Sequence, residues 1–322
     1  MLRPPANQHD ARLVSVIIPT RNRASLLKQT LRSVLKQSHA SVEVVLVDDA
    51  SVDDTPDVAT RWRQRFAAER GWEVKYIKQD HVGAQHARNV GLRASRGQFL
   101  NFLDDDDLLS HDKIAAQVAV AEDTGADIVY GAHRYFRQLS NGYWLYSVVN
   151  SVGLPEGTGS LKAWLDGWRW YVMSGLLRRS FVDKVGAWTE DLARNQDLEY
   201  ELRCVSLNPR IAHCARGQLL RRQHPASLSH ARSAAAHQSI VRVAELVEEL
   251  ARASCDTTAA RTAAAHYWTR TALKLRMEGN KQLARSCLAR AQQHIPRCRL
   301  GVADPLARVA YRVGGLRLYA LL

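Results

Sequence analysis

The sequence predicts an α/β fold around a mixed, mostly parallel sheet, followed by a region made of helices alone. From residue 13 to about residue 110, short β-branched runs alternate with helical stretches, which is the pattern of parallel strands joined by crossover helices. From Arg232 onward alanine, arginine and leucine dominate, and apolar residues recur at helical spacing. We therefore expect a flexible N-terminus of residues 1–12, an α/β domain of residues 13–230 and a helical C-terminal region of residues 231–322.

Local patterns predict each element of the first half. A β-branched run stopped by Pro19 predicts a strand at Val14–Ile18, and apolar residues spaced for one helical face follow from Leu27 to Leu35. Pro56 in the first turn and Gly71 after the last predict a helix over 55–70. The same reasoning gives strands at Val42–Val47, Trp72–Ile77 and Gln98–Leu103, and a helix at Ala84–Ser95.

The second half is more mixed. Strands are predicted at Ile128–Tyr130 and Tyr143–Val149, and helices are predicted to begin near Arg178 and to cover Gln196–Ser206. Beyond residue 231, the segment Tyr267–Ala291 predicts a helical hairpin turning at Gly279-Asn280.

Composition narrows the class of protein. Hydrophobic residues make up 46% of the chain, which is enough for a sizeable core, and no apolar run approaches the ~20 residues that span a bilayer. The polar N-terminus has no apolar stretch like that of a signal peptide, so we expect a cytoplasmic protein. The five cysteines have no CxxC spacing, which favours reduced thiols.

Positive charge is concentrated toward the C-terminus. The net charge is +13, and residues 232–322 hold 15 Lys/Arg against 6 Asp/Glu, or +9. Such a segment favours nucleic acid, an anionic membrane surface or phosphorylated substrates as partners. The alternative is a solvated, arginine-rich helical face.

Polar side chains follow three of the predicted strands, where a parallel sheet binds ligands. The first strand leads into Pro19–Arg23, the second into Asp48-Asp49, and the fourth into Asp104–Asp107. Arginines suit phosphate groups, and neighbouring carboxylates suit a hard cation. No GxxxxGK[ST] occurs, and no GxGxxG follows the first strand, which disfavours an ordinary mononucleotide or dinucleotide site.

Each acidic group also has a structural interpretation. In strand geometry Asp104 and Asp106 would point the same way and share a metal while Asp105 faces elsewhere. Alternatively, the run is a solvated loop that caps the next helix. Asp49 can accept from a pyrimidine N–H or a ribose hydroxyl, or it can simply initiate a turn.

Seven motifs in order resemble family 2 of the inverting glycosyltransferases, over roughly Ser15 to Ser229. They are Val16-Ile-Ile-Pro-Thr-Arg-Asn-Arg23, Val47-Asp-Asp-Ala-Ser51, Ala87-Arg-Asn-Val-Gly91, Phe102-Leu-Asp-Asp-Asp-Asp107, Leu177-Arg-Arg-Ser-Phe-Val-Asp-Lys-Val-Gly186, Asn195-Gln-Asp-Leu-Glu-Tyr-Glu-Leu-Arg203 and Arg222-Gln-His-Pro-Ala-Ser-Leu-Ser229. The resemblance implies the GT-A fold, a single α/β domain around a nucleotide-sugar site.

The resemblance also implies roles for individual residues. Asp104 and Asp106 would hold Mn²⁺ or Mg²⁺ as the family's DxD element, with the register within the four aspartates left open. Asp49 would contact the nucleotide base, and uracil is the first base to consider. His224 would contact the metal or the diphosphate, or else it is an ordinary surface histidine. The other residues placed at the nucleotide-sugar by this resemblance are Pro19, Thr20, Arg21, Arg88, Asn89 and Asp105.

Asp197 matches the position of the family's catalytic base, which removes the acceptor proton during inversion. Many relatives have Glu-Asp there and this chain has Gln196-Asp197. Glu199 is the fallback base, and the structural alternative for Asp197 is a carboxylate that offsets the helix dipole.

The resemblance implies an inverting transferase that moves a sugar, first of all from a UDP-sugar, to a saccharide or lipid-linked saccharide in bacterial cell-surface glycan synthesis. The helical region would then contact the inner face of the membrane or form a homodimer. The aromatic group Trp164, Trp168, Trp170 and Tyr171 would be an acceptor platform or plain core packing.

Three rival interpretations are weaker. A sugar-1-phosphate nucleotidyltransferase would have a glycine-rich loop after the first strand, where Pro19–Arg23 has none. A nucleic-acid-binding protein would interleave aromatics with the arginines of the C-terminal region, and we expect no nucleic acid as partner. A non-catalytic sugar-nucleotide-binding subunit would have no use for Asp197.

Overall fold

A computed structural model describes residues 12–138, 144–147, 153–156, 158–223, 232–254 and 257–294. The chain divides into two compact units. The first consists of residues 1–163, 168–191 and 203–227, and the second of residues 164–167, 192–202 and 228–322. The C-terminal helices thus share a unit with two short segments that precede the predicted boundary at residue 230. None of the described helices is long and apolar enough to cross a membrane.

The strands form one mixed sheet. Those found among the described residues are β1 (Val14–Thr20), β2 (Val42–Asp49), β3 (Val74–Gln79), β4 (Phe99–Phe102), β5 (Leu108–Leu109), β6 (Ile128–Gln138), β7 (Trp144–Tyr146), β8 (Gly175–Arg178) and β9 (Ile211–Arg222). Their order is β3-β2-β1-β4-β8-β6-β9-β5, and β7 pairs with β6. The first four strands are parallel to their neighbours within this group, while β8 is antiparallel to both β4 and β6.

The helices occur between the strands and after them. Those of the described residues are α1 (Ala24–Leu35), α2 (Thr55–Arg70), α3 (Ala84–Ala94), α4 (Lys113–Thr124), α5 (Ser160–Leu165), α6 (Arg179–Val185), α7 (Gln196–Ser206), α8 (Ala234–Ser254), α9 (Thr257–Met277) and α10 (Lys281–His294), with a short 3-10 helix at Val172–Ser174. The α/β fold class with a helical C-terminal region is therefore confirmed.

The core of the first unit lies on both faces of β1 and β2, whose residues are all buried. Helix α3 packs so closely on this sheet that a Cβ at Gly91 would lie 2.4 Å from the Cγ2 atom of Ile17. Pro19 has no N–H to donate to a neighbouring strand. It is nevertheless compatible with a central strand, because the pairing of β1 with β4 already ends at Ile17. This arrangement leaves the end of β1 open toward the residues that follow β4.

Strand β9 was not predicted, because apolar and polar residues do not alternate regularly in its sequence. It runs parallel to β6, with an irregularity after Gly131. Gly217 adopts a φ of 78° there, and a Cβ on it would lie 2.4 Å from the Cα atom of Lys113. The glycine therefore allows β9 to pass α4 and to end at Arg222.

In the second unit α8, α9 and α10 pack together around small residues. Ala264, Ala272, Ala284 and Cys287 are buried in one cluster with Trp268. The predicted turn at Gly279-Asn280 lies between α9 and α10, where Gly279 has a φ of 91°. The predicted hairpin is thus part of a three-helix arrangement.

Candidate functional site

The four aspartates after β4 form a turn, which we call the acidic turn (Asp104–Asp107). The strand itself ends at Phe102, and the Asp107 N–H donates to the Asp104 carbonyl over 3.2 Å. The Thr30 hydroxyl of α1 lies 2.9 Å from the Asp105 carbonyl and 2.8 Å from the Asp107 carbonyl. The extended-strand argument for alternating side chains is therefore wrong for this run, and turn geometry decides where each carboxylate points.

Three of the four carboxylates converge. Asp104, Asp106 and Asp107 each place one oxygen within 4.8 Å of the others. Asp105 is buried and points elsewhere, because it accepts from the Thr20 hydroxyl over 2.7 Å and from Arg23 Nη1 over 3.0 Å. The converging set therefore contains both predicted metal ligands and adds Asp107.

Basic residues surround the acidic turn. Arg23 Nη1 lies 2.7 Å from an Asp106 carboxylate oxygen, and Arg88 Nη2 lies 2.7 Å from Asp104 Oδ1. The Arg222 N–H donates to Asp107 Oδ1 over 2.9 Å, and its Nε donates to the Asp106 carbonyl over 2.9 Å. Arg23 and Arg222 were not among the predicted site residues, although both lie within motifs that carry the family resemblance.

Burial and mutual repulsion disfavour the ionised form of the carboxyl groups in the acidic turn. Burial raises the pKa of the Asp105 carboxyl to about 6, with the Asp106 charge adding to the effect and Arg23 opposing it. Burial, together with Asp106 and Asp104, keeps the pKa of Asp107 well above its ordinary value. An all-oxygen set of crowded carboxylates fits a hard divalent cation, which would lower this repulsion.

Arg88 presents a buried cation with spare hydrogen-bonding capacity. Its side chain from α3 is 4% exposed, and its guanidinium lies 4.9 Å from the ring centroid of Trp188. Within the described part of the chain its Nε and Nη1 atoms have no hydrogen-bond partner. Buried N–H groups without acceptors are costly, so this fork is suited to an anion beside the acidic turn.

Asn89, the next residue of α3, holds a loop. Its Nδ2 donates to the Trp188 carbonyl over 2.9 Å and to Glu190 Oε1 over 2.7 Å, and its Oδ1 accepts from the Trp188 N–H over 2.8 Å. His86 lies 3.0 Å from the other Glu190 oxygen. The side chain predicted to meet the nucleotide thus bonds to protein groups, and a nucleotide contact stays a prediction.

Asp49 lies at the end of β2 in a network of its own. It accepts from Gln79 Nε2 over 2.8 Å, from the Val82 N–H over 2.9 Å and from His81 Nδ1 over 2.6 Å. Arg21 Nη1 lies 2.8 Å from His81 Nε2. Because arginine can only donate, His81 accepts at Nε2 and donates from Nδ1 to Asp49. Although burial opposes it, hydrogen bonding keeps the pKa of Asp49 below its ordinary value. His81 was missed, since no spacing marked it.

Asp197 lies in the first turn of α7, within the second unit. Its Oδ1 is 2.9 Å from the Leu198 N–H, and Asn195, just before the helix, adopts a φ of 61°. Glu199, the fallback base, is buried in the same turn. His224 lies outside the described residues.

The segment before Asp197 is fixed by the C-terminal helices of the same unit. The Ala193 N–H donates to Ser239 Oγ of α8 over 2.9 Å. Arg194 Nη1 lies 2.9 Å from Glu278 Oε2, just after α9. This contact joins two side chains that are about nine-tenths buried, with relative exposures of 10% and 12%.

The predicted aromatic platform is not exposed. Trp164, Trp168, Trp170 and Tyr171 are all at most 8% exposed. Trp168 meets Tyr130 edge-on, with ring centroids 5.6 Å apart. These side chains are core residues, as the alternative interpretation stated.

Solved structures identify the class of fold. TarS of S. aureus, in a structure of residues 1–349 in complex with UDP-GlcNAc, superposes with a TM-score of 0.57 at 17% identity, over 87% of this chain and 91% of that chain. The mannosyltransferase PcManGT from Pyrobaculum calidifontis, in complex with GDP-Man and Mn²⁺, gives a TM-score of 0.54 at 17% identity, over 96% and 81%. The protein thus has the GT-A fold.

The chain belongs to glycosyl transferase family 2, whose family model matches residues 15–183. EpsJ of Bacillus subtilis, an uncharacterized glycosyltransferase, is 28% identical over 222 residues, which are 67% of this chain and 63% of EpsJ. The chain thus spans less than two thirds of that relative's length, and between 18% and 22% of the length of three glycosyltransferases from Rickettsia. The resemblance seen in the motifs is confirmed at the level of the family.

Proposed function

We propose that this chain is an inverting, metal-dependent glycosyltransferase that moves a sugar from a nucleotide-diphosphate donor to an acceptor hydroxyl. One observation carries the proposal. At the ends of parallel strands, three converging carboxylates lie beside Arg88, whose buried guanidinium has N–H groups without protein acceptors. A divalent cation would neutralise the three carboxylates, and a diphosphate would accept hydrogen bonds from Arg88.

The donor contacts follow from the chemistry of the side chains. Arg88 donates to diphosphate oxygens and so stabilises the charge that grows as the bond from the anomeric carbon to the phosphate oxygen breaks. Asp49, fixed by His81, accepts from the base or the ribose. UDP-sugars are the first donors to test, and the UDP-GlcNAc bound to the similar structure of TarS supports that choice.

Asp104, Asp106 and Asp107 would hold the cation, Mn²⁺ or Mg²⁺. Once bound, the cation would supply positive charge against the departing nucleoside diphosphate. The Mn²⁺ in the similar structure of PcManGT supports this assignment, and Asp105 keeps the turn in place through Thr20 and Arg23.

Asp197 has the role that the family resemblance gives it. Its carboxylate takes the proton of the acceptor hydroxyl while the hydroxyl oxygen attacks the anomeric carbon from the face opposite the diphosphate. The new glycosidic bond inverts the configuration, and the nucleoside diphosphate leaves with the electron pair. The acceptor class is a saccharide or a lipid-linked saccharide of a bacterial surface glycan.

The test is a panel of UDP-, GDP- and TDP-sugars with Mn²⁺, read by thermal shift and by donor hydrolysis. We expect one nucleotide class to stabilise the protein, and Asp106→Ala to abolish that effect. The matched control is Asp123→Ala, an exposed aspartate of α4. A protein that ignores every sugar nucleotide but binds DNA or RNA tightly and salt-sensitively would refute the proposal.

A further inference from the structure

An exposed aromatic surface adjoins the acidic turn. Trp144 and Tyr146 of β7 are 40% and 50% exposed, and both rings pack on Phe136 of β6, with centroids 5.3 and 6.1 Å away. Phe136 pairs with Tyr146 across the two strands. Because alternate residues of a strand share a side, Trp144, Tyr146 and Phe136 lie on one side of the sheet. We call these three residues the aromatic face; Phe136 is only 2% exposed, so Trp144 and Tyr146 supply its exposed rings.

Arg222 joins the aromatic face to the acidic turn. It pairs with Phe136 across β6 and β9, and its guanidinium lies 4.6 Å from the Phe136 ring centroid and 5.4 Å from that of Trp144. The same residue donates from its Nε to the Asp106 carbonyl and from its backbone N–H to Asp107. Arg222 therefore connects the aromatic face to Asp106 and Asp107, two of the residues assigned to the cation.

The chemistry of this surface selects its ligand. The face of an aromatic ring carries partial negative charge, and the C–H groups on one side of a pyranose carry partial positive charge. Neighbouring ring faces thus stack on sugar rings, while polar groups at their margin orient the hydroxyls. We propose that the aromatic face binds the saccharide acceptor next to the transfer site, which rests on the proposed function and names the acceptor surface for it.

Leu145 distinguishes a sugar platform from a merely apolar surface. It is 47% exposed, between Trp144 and Tyr146, but its side chain lies on the opposite side of β7. Among the described strands β7 pairs with β6 alone, so a bilayer or a protein groove that surrounds β7 would contact Leu145 on one side and the two aromatics on the other. A pyranose stacked on the aromatic face would not.

The experiment uses the full chain and three variants: Trp144→Ala, Tyr146→Ala and, as the matched control, Leu145→Ala. Methyl glycosides of glucose, galactose and N-acetylglucosamine are titrated and followed by saturation-transfer difference NMR. Thermal shift with UDP and Mn²⁺ runs in parallel.

We expect at least one glycoside to bind the wild type, and each aromatic substitution to weaken binding about tenfold, since each removes one stacking ring. Leu145→Ala should bind as the wild type does, and the nucleotide response should be unchanged in all three variants.

Several outcomes overturn the proposal. They are the absence of glycoside binding to the wild type, equal binding by all variants, or equal loss in Leu145→Ala. Vesicles of phosphatidylcholine and phosphatidylglycerol, together with size-exclusion chromatography, identify the other occupants. If all three substitutions release the protein from vesicles or dissociate an oligomer, the surface serves a membrane or a second copy. Failure of the nucleotide response in the wild type would instead sink the proposed function, so the two failures are separable.

Discussion

Arg88 is the residue through which the proposed binding of the nucleoside diphosphate can be tested most directly. Its fork pairs with Asp104, lies over Trp188 and keeps two nitrogens without protein acceptors within the described residues. Lysine would keep the charge but lose the planar, two-pronged geometry. We expect Arg88→Lys to weaken nucleoside-diphosphate binding by about 1.5–3 kcal/mol, the contribution of a hydrogen bond to a charged group.

Calorimetric titration with UDP and Mn²⁺ measures this change. Arg65→Lys is the matched control, because Arg65 also lies over a tryptophan, 4.9 Å from the ring centroid of Trp62, but on the exposed surface of α2. Equal dissociation constants for Arg88→Lys and the wild type would contradict the role assigned to the fork.

Lys113 predicts a pH dependence of stability. It is 1% exposed in α4, and its Nζ donates to Gln117 Oε1 over 2.8 Å. Burial lowers its pKa from 10.5 to about 7, although the neighbouring Cys214 opposes the shift. Between these two values the unfolded chain binds a proton that the folded chain does not. The free energy of unfolding should therefore rise with pH from about 7 to 10.5, by up to about 1.4 kcal/mol per pH unit, and this contribution is lost as the pH falls through 7.

Urea unfolding of the wild type and Lys113→Met between pH 7 and 10 tests this linkage. The variant should be the more stable one at pH 7, and its advantage should shrink as the pH rises. Lys28→Met, at an exposed position of α1, should give a curve parallel to the wild type. Parallel curves for Lys113→Met as well would show that the buried amine keeps an ordinary pKa.

At the scale of elements, the C-terminal helices position the segment that carries Asp197. Glu278 fixes Arg194, three residues before Asp197, and Ser239 of α8 fixes Ala193. Glu278→Gln would remove the carboxylate charge from this largely buried ion pair with Arg194. We expect the displaced Asp197 to lower kcat about tenfold, which corresponds to an activation free energy higher by about 1.4 kcal/mol. The KM for the donor should stay unchanged, since the residues assigned to the donor lie in the first unit.

Steady-state kinetics separate these two constants. Glu249→Gln, an exposed position of α8, is the control and should leave both unchanged. A parallel rise in KM, or a loss of kcat that follows only the melting temperature, would mean that Glu278 is merely structural.

Elements with strong local signals were predictable from the sequence. Helix α2 covers the predicted residues, because Pro56 and Gly71 mark its ends chemically, and Gly71 adopts the left-handed conformation with a φ of 65°. Strand β9 had no such signal, since its pairing with β6 is long-range and the apolar and polar residues of its sequence do not alternate regularly. Arg222 could not be predicted as a site residue for the same reason, because it reaches Asp107 only through the pairing of β9 with β6. The aspartates themselves were predictable, but their directions depend on a turn held by Thr30 from another helix.

At the scale of the molecule, the family and the fold were predictable, whereas the division into units was not. Residues 192–202 share a unit with the helices after residue 228, although the sequence changes character only near residue 232. Composition reports the local environment of each segment, and it does not report which distant segment packs against it. The C-terminal helices are therefore not a separate domain, since they hold the residues before Asp197.

The positive charge of the chain is concentrated toward its C-terminus, which favours an anionic surface as partner. Of the net +13, residues 232–322 supply +9, and residues 301–322 contain three arginines against one aspartate. Near an anionic membrane each such cation contributes about 1 kcal/mol of attraction, which salt screens. Deleting Gly301–Leu322 should therefore weaken sedimentation with phosphatidylglycerol vesicles and leave nucleotide binding intact. Replacing Arg308, Arg312 and Arg317 by glutamine in the full chain is the matched control for length, and it should have the same effect. If both proteins sediment as the wild type does at low and at high salt, the C-terminal charge serves some contact other than a membrane.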